Sequence, residues 1–140
     1  MEHLKPIAIT WYGHSAFLIR DSADTSVLID PWLDNPKSPI KPREIPRPDL
    51  ILVTHGHGDH IGNAVEIAKR FDVPVVAIHE VSLYLGTQGI SKSMGMNKGG
   101  TLEVGKVSVT MTHAVHSSDI DVGGGGKVLP GGEPAGFVIS

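Results

Sequence analysis

The chain has 140 residues, a formal charge of −3, 40% apolar and 19% charged residues. These values predict one globular domain and give no electrostatic reason to expect nucleic acid or an anionic membrane as partner. There are no cysteines, which excludes disulfides and thiolate ligands; eight histidines leave nitrogen and oxygen as the available metal donors. The opening Met1 to Pro6 lacks a signal-peptide pattern and no apolar run approaches membrane-spanning length, so the expected location is cytoplasmic.

The first third reads as short strands. Ile7 to Trp11 and Ala16 to Arg20 are two of them, joined by Tyr12-Gly13-His14-Ser15, and Ser26 to Asp30 is a third after the polar turn at Asp21 to Asp24. Six prolines from Pro31 to Pro48 predict an extended surface loop. Asp49 to Thr54 is almost wholly apolar, as a strand covered on both faces is.

An amphipathic helix is expected over Ile61 to Phe71, with Ile61, Ala64, Val65, Ala68 and Phe71 on one stripe. Val75 to Ile78 then returns as a buried strand, giving a strand–helix–strand unit with parallel pairing. A second helix is expected over about Glu80 to Leu85 and a loop over Ile90 to Gly100. Thr101 to Val104 and Lys106 to His113 read as a hairpin turning at Gly105, and Ser117 to Pro134 as a long glycine-rich loop. Gly136 to Ser140 begins another strand, and a chain that stops inside a strand predicts a portion of a domain.

The chemistry concentrates after the apolar strand, in His55-Gly56-His57-Gly58-Asp59-His60. Two histidines at i, i+2 on extended chain can turn their rings to one side, and an Asp and a His beyond the bend can face a neighbouring point. The glycines at 56 and 58 permit the tight path this requires. Neutral imidazole and carboxylate suit Zn²⁺ first, with Mn²⁺ or Fe²⁺ also accommodated, and such ions activate water near neutral pH. A polar loop with solvated histidines is the bland alternative, far better suited to one histidine than to this cluster. His3 and His79 read as structural, His14 as structural or pocket-edge rather than a ligand, Trp11 and Trp32 as core anchors, and Gly123 to Gly126 as flexible loop rather than a phosphate cradle.

His55, His57, Asp59 and His60 match the H-x-H-x-D-H signature, and on these residues the chain resembles the metallo-β-lactamase superfamily. Tyr12 to Ser15, Leu28 to Leu33, Gly99 to Thr101 and Glu133 to Gly136 resemble the branch containing L-ascorbate-6-phosphate lactonase and uncharacterised metal-dependent hydrolases. The resemblance implies an α/β (α+β) fold, the four-layer αββα sandwich, with residues 1–140 as the N-terminal half of one such domain. It implies a first metal held by His55, His57 and a later histidine. Strand alternation puts His113 on a face with Val109 and Met111, while His116 follows the strand where the family places its ligand, and His116 is favoured. Asp59 and His60 would begin a second metal site, completed in the family by a bridging Asp and a last His that this sequence does not contain. Asp30 is either a turn acceptor or, as in the family, the partner orienting a ligand imidazole.

Two functions follow as expectations. In one, the protein is a metal-dependent hydrolase that uses metal-activated water on an ester, lactone or phosphodiester bond of a small-molecule substrate, with Asp59 orienting the water and up to two metals per complete domain. In the other, the chain is a non-catalytic metal-binding half-domain or proteolytic fragment. In either, half of a two-sheet fold is expected to pair with a second copy or a C-terminal piece to cover an exposed apolar face.

Overall fold

The computed structural model describes residues 6–140; His3, read above as structural, lies outside the described residues. Six strands stand side by side in chain order: β1 (Ala8–Trp11), β2 (Phe17–Arg20), β3 (Ser26–Ile29), β4 (Leu50–Leu52), β5 (Val75–Ile78) and β6 (Ser93–Met96). β2 runs antiparallel to both β1 and β3, whereas β3, β4, β5 and β6 are parallel. The C-terminal ends of β1, β3 and β4 therefore lie at one edge of the sheet. Every residue of β4 and β5 is buried, which explains their unbroken apolar runs.

Helices α1 (Gly58–Ile61) and α2 (Ala64–Phe71) connect β4 to β5, and α3 (His79–Thr87) packs against β5 and β6. The helix expected over residues 61–71 is thus preceded by a separate turn. Gly62 breaks it at φ 46°, and a Cβ there would run into Trp32, so the break is imposed by tertiary packing.

A second sheet holds β7 (Thr101–Val104), β8 (Val107–His113) and, after a hairpin of β9 (Asp119–Asp121) and β10 (Val128–Pro130), β11 (Ala135–Ile139). Its order is β11-β8-β7, antiparallel throughout. Val107, Val109 and Met111 of β8 join Leu28, Leu50 and Val76 of the first sheet in one core. The architecture is mixed α/β, two sheets with few helices.

Four expectations are corrected. The segment 90–100 contains β6, which adds to β5 in parallel, and the glycine-rich segment 117–134 contains the β9–β10 hairpin. The proline-rich segment is irregular apart from a 3-10 turn (Pro42–Glu44), yet it buries Leu33 and Ile45 almost completely and is not simply surface. Trp11 is 54% exposed and Trp32 only half-buried, so neither is a core anchor. Among the described residues no helix is long and apolar enough to cross a membrane.

Candidate metal centre

Three chain segments meet at the edge where β1, β3 and β4 end. β4 delivers His55 and His57 on extended backbone, and α1 then turns Asp59 and His60 back towards them. β3 delivers Asp30, which sits in the left-handed region at φ 44° and is buried. From the second sheet, the loop after β8 brings His116, whose ring lies 4.8 Å from that of His55 and 5.2 Å from that of His57. His113 points elsewhere, 3.1 Å from Lys98 Nζ. Ligand atoms of His55, His57 and His116 all lie within 4.8 Å of one another.

The hydrogen bonds fix which ring nitrogens face inward. Thr54 donates its hydroxyl to Asp30 Oδ2 at 2.6 Å, so towards His55 Nδ1, 2.8 Å away, it can only accept. His55 Nδ1 then carries the hydrogen and its Nε2 is bare. His57 donates from Nε2 to Asp119 Oδ1 at 2.8 Å, which leaves its Nδ1 bare. These two bare nitrogens face each other at 3.1 Å. Lone pairs so placed repel unless a proton or a metal ion lies between them. Burial, reinforced by the charge of His60 and the other nearby imidazoles, lowers the pKa of His55 to about 4, so His55 itself supplies no proton to this gap at neutral pH. A divalent metal fits, since nitrogens about 2.0–2.1 Å from a tetrahedral Zn²⁺ stand roughly 3.3 Å apart.

Asp30 resolves its two readings by filling both. Its Oδ1 accepts from the Thr54 amide at 2.8 Å, and its Oδ2 accepts from His60 Nδ1 at 2.7 Å as well as from the Thr54 hydroxyl. With its oxygens so committed, Asp30 orients rather than ligates, and it turns His60 Nε2 outward, 4.0 Å from Asp59 Oδ2. Burial pulls the His60 pKa down, but the hydrogen bond to Asp30 and the charges of Asp30 and Asp59 outweigh it, and the net shift is upward. All buried side-chain nitrogens and oxygens among the described residues have partners.

One neighbour of the site escaped the sequence reading, and a second was placed by it at most at the pocket edge. Asp119 lies in the glycine-rich segment, 62 positions from the His57 it orients, and no local pattern marks it. His14, at the end of β1, places Nε2 3.0 Å from Asp59 Oδ2, and its ring meets Trp32 and His60 edge-on at 5.2 and 5.1 Å. Only the direction of β1, set by two antiparallel pairings, shows that His14 arrives at the same sheet edge as Asp30 and His55.

A family model described as the metallo-beta-lactamase superfamily matches residues 9–139. The chain belongs to this superfamily. It is 51% identical over 133 residues to a UPF0173 metal-dependent hydrolase of Archaeoglobus fulgidus, covering 94% of this chain and 55% of the relative. It is 49% identical over 135 residues to a protein of the same description from Methanosarcina mazei, covering 96% of this chain and 56% of the relative. The chain thus spans about half the length of the curated relatives it matches. Among solved structures it is similar to Igni18, a metallo hydrolase from the archaeon Ignicoccus hospitalis, with a TM-score of 0.79 at 32% identity, covering 96% of this chain and 55% of the other.

Proposed function

We propose that the protein is a metal-dependent hydrolase in which His55, His57 and His116 hold a first divalent ion, with Asp59 and His60 contributing to a second. The observation that carries this reading is the convergence of His55, His57 and His116, with the inward-facing nitrogens of His55 and His57 3.1 Å apart, a spacing that a shared divalent ion accommodates. The hydrolase names of the relatives and of Igni18 support the same class. Zn²⁺ is the ion we assign, because three imidazoles without sulfur form a familiar three-ligand set that keeps an open position.

When bound, the metal supplies Lewis-acid polarisation of the scissile group and a nucleophilic water near neutral pH. The protein's own residues do the rest. Thr54, Asp30 and Asp119 hold the ligand rings in the tautomers that present lone pairs. The Asp59 carboxylate, half-exposed at the mouth, accepts a hydrogen bond from an attacking water and aims it. The bond attacked is an ester, lactone or phosphodiester of a small molecule. The absence of a basic stripe in the sequence argues against nucleic acid.

The test is metal content of purified variants. His55→Ala, His57→Ala and His116→Ala should each remove most of the first equivalent, and His113→Ala should not. Elemental analysis in which His113→Ala strips the ion while His116→Ala retains it would overturn the ligand set. As part of the same reading, the chain pairs with a second copy or another polypeptide through the apolar residues around β1; Ile7, Ile9 and Trp11 are all more than half exposed there.

A further inference from the structure

A second group of donors stands beside the first. His14 Nε2 lies 3.0 Å from Asp59 Oδ2, His60 Nε2 lies 4.0 Å from the same oxygen, and ligand atoms of all three residues fall within 4.8 Å of one another. Donors about 2.0–2.2 Å from one first-row ion are separated by roughly 3.0–3.4 Å, so the His14 side already has the required spacing and the His60 side must close only slightly. We infer that His14 is a metal ligand, completing with Asp59 and His60 a two-histidine, one-carboxylate site for a second divalent ion within this chain. The inference rests on the dinuclear reading above and adds a ligand to it.

Three observations beyond proximity support it. The His14 backbone lies at φ 45°, a conformation costly for a residue other than glycine and one that persists only where its surroundings over-determine it. Two hydrogen bonds impose it: Trp11 donates its indole N–H to the His14 carbonyl at 2.9 Å, and the Ala16 amide closes the turn onto Gly13 at 2.9 Å. The ring is then held edge-on between Trp32 and His60, so its orientation is set before any ion arrives. Finally, His60 Nδ1 is bonded to Asp30, leaving Nε2 as the only nitrogen it can offer, and that nitrogen faces Asp59. The site is open, with the side chains of His14 and Asp59 38% and 44% exposed, which leaves coordination positions for water or substrate. Two nitrogens and one carboxylate with open positions suit Fe²⁺, Mn²⁺ or Zn²⁺.

The competing role for His14 is that of a hydrogen-bond donor that merely positions Asp59. The experiment separates the two. Zn²⁺ is titrated calorimetrically into the metal-free 140-residue chain and into His14→Ala, His14→Gln, His14→Asn and His55→Ala, with circular dichroism confirming the fold of each. Asn tolerates the left-handed backbone, and Gln keeps an N–H able to reach Asp59. The wild-type chain is expected to bind two equivalents. All three His14 variants should lose the second, weakened by more than about 100-fold, and keep the first. His55→Ala should do the reverse. A second equivalent retained at wild-type affinity in His14→Gln or His14→Asn would reduce His14 to a positioning residue and overturn the assignment. One equivalent in the wild-type chain, lost in His55→Ala and unaffected by His14→Ala, would also overturn it while leaving the first site intact. No binding in any form would remove the dinuclear reading itself.

Discussion

Asp119 illustrates how a single residue can govern the proposed metal site without belonging to its ligand set. By accepting from His57 Nε2 it fixes the tautomer that bares Nδ1, and it restrains the ring against rotation. Asp119→Ala should weaken first-site Zn²⁺ affinity by about 10–100-fold with little loss of fold stability, because the carboxylate is half-exposed. Calorimetric titration checks this, and unchanged affinity would show that the ring is held by other means. His55 makes a different prediction, about pH. Its folded pKa of about 4 lies below the unfolded value near 6.5, so between these values the unfolded chain binds the proton and the folded chain does not. Its contribution is fully present above 6.5 and is lost as pH falls towards 4. His60 works in the opposite sense, its raised pKa giving stability present below the unfolded value and lost as pH rises through the folded one. Comparing metal-free wild type with His55→Gln, which cannot titrate, isolates the first effect. The wild-type chain should lose stability relative to the variant as pH is lowered across that window in urea melts. A pH-independent difference would mean that His55 is solvated in the folded state.

At the scale of the element, the backbone path from β4 into α1 depends on one glycine and not on the other. A Cβ on Gly56 would stand 2.7 Å from the Asp119 carbonyl oxygen and 2.8 Å from Ile120 Cγ1, whereas one on Gly58 would meet nothing within 4 Å. Gly56→Ala should therefore displace the β9–β10 hairpin and cost roughly 1–3 kcal/mol, and Gly58→Ala should be near neutral. Thermal unfolding of both variants tests the contrast, and equal melting temperatures would count against so close an approach. The sequence makes both glycines look alike, since spacing shows that a tight path is needed but not what lies across from it. The same limit explains the other gaps. β4, β5 and β8 were legible because burial on one or both faces writes a pattern into their residues. Ser93–Met96 contains no β-branched residue, and Val128–Pro130 is a three-residue exposed segment that ends in proline, so neither carries a clear strand signal. Their pairing is dictated by neighbours: β5 for the first, β9 for the second. The metal run was legible as a local cluster on one loop. His14 and Asp119 join it only through topology, as does the break at Gly62 that sets α1 apart from α2.

At the scale of the molecule, the two sheets are unequal. Three strands of the second face six of the first, and among the described residues β1 lies at an outer edge with only β2 as neighbour. Its residues alternate so that Ile7, Ile9 and Trp11 share one face, and they are 63%, 66% and 54% exposed. Beside them runs an open groove lined by Ile19, Val27, Val107 and Ile139, residues from both sheets, so the uncovered face is continuous with the space between the sheets. An unpaired edge bearing a row of apolar side chains is a template for association. Covering it should be favourable, because burial of apolar surface contributes about 25 cal/mol per Å². The 140-residue chain is therefore expected to self-associate or to capture a second polypeptide, and light scattering should report a mass above 14.9 kDa. Ile9→Lys, which puts a charge at the centre of the row, should shift that equilibrium towards the monomer. It should leave first-site Zn²⁺ stoichiometry unchanged, since Ile9 lies outside the donor groups at the strand ends. A stable, soluble 14.9 kDa wild-type monomer at high concentration would show that the exposed row tolerates water. An oligomer indifferent to Ile9→Lys would place the contact elsewhere.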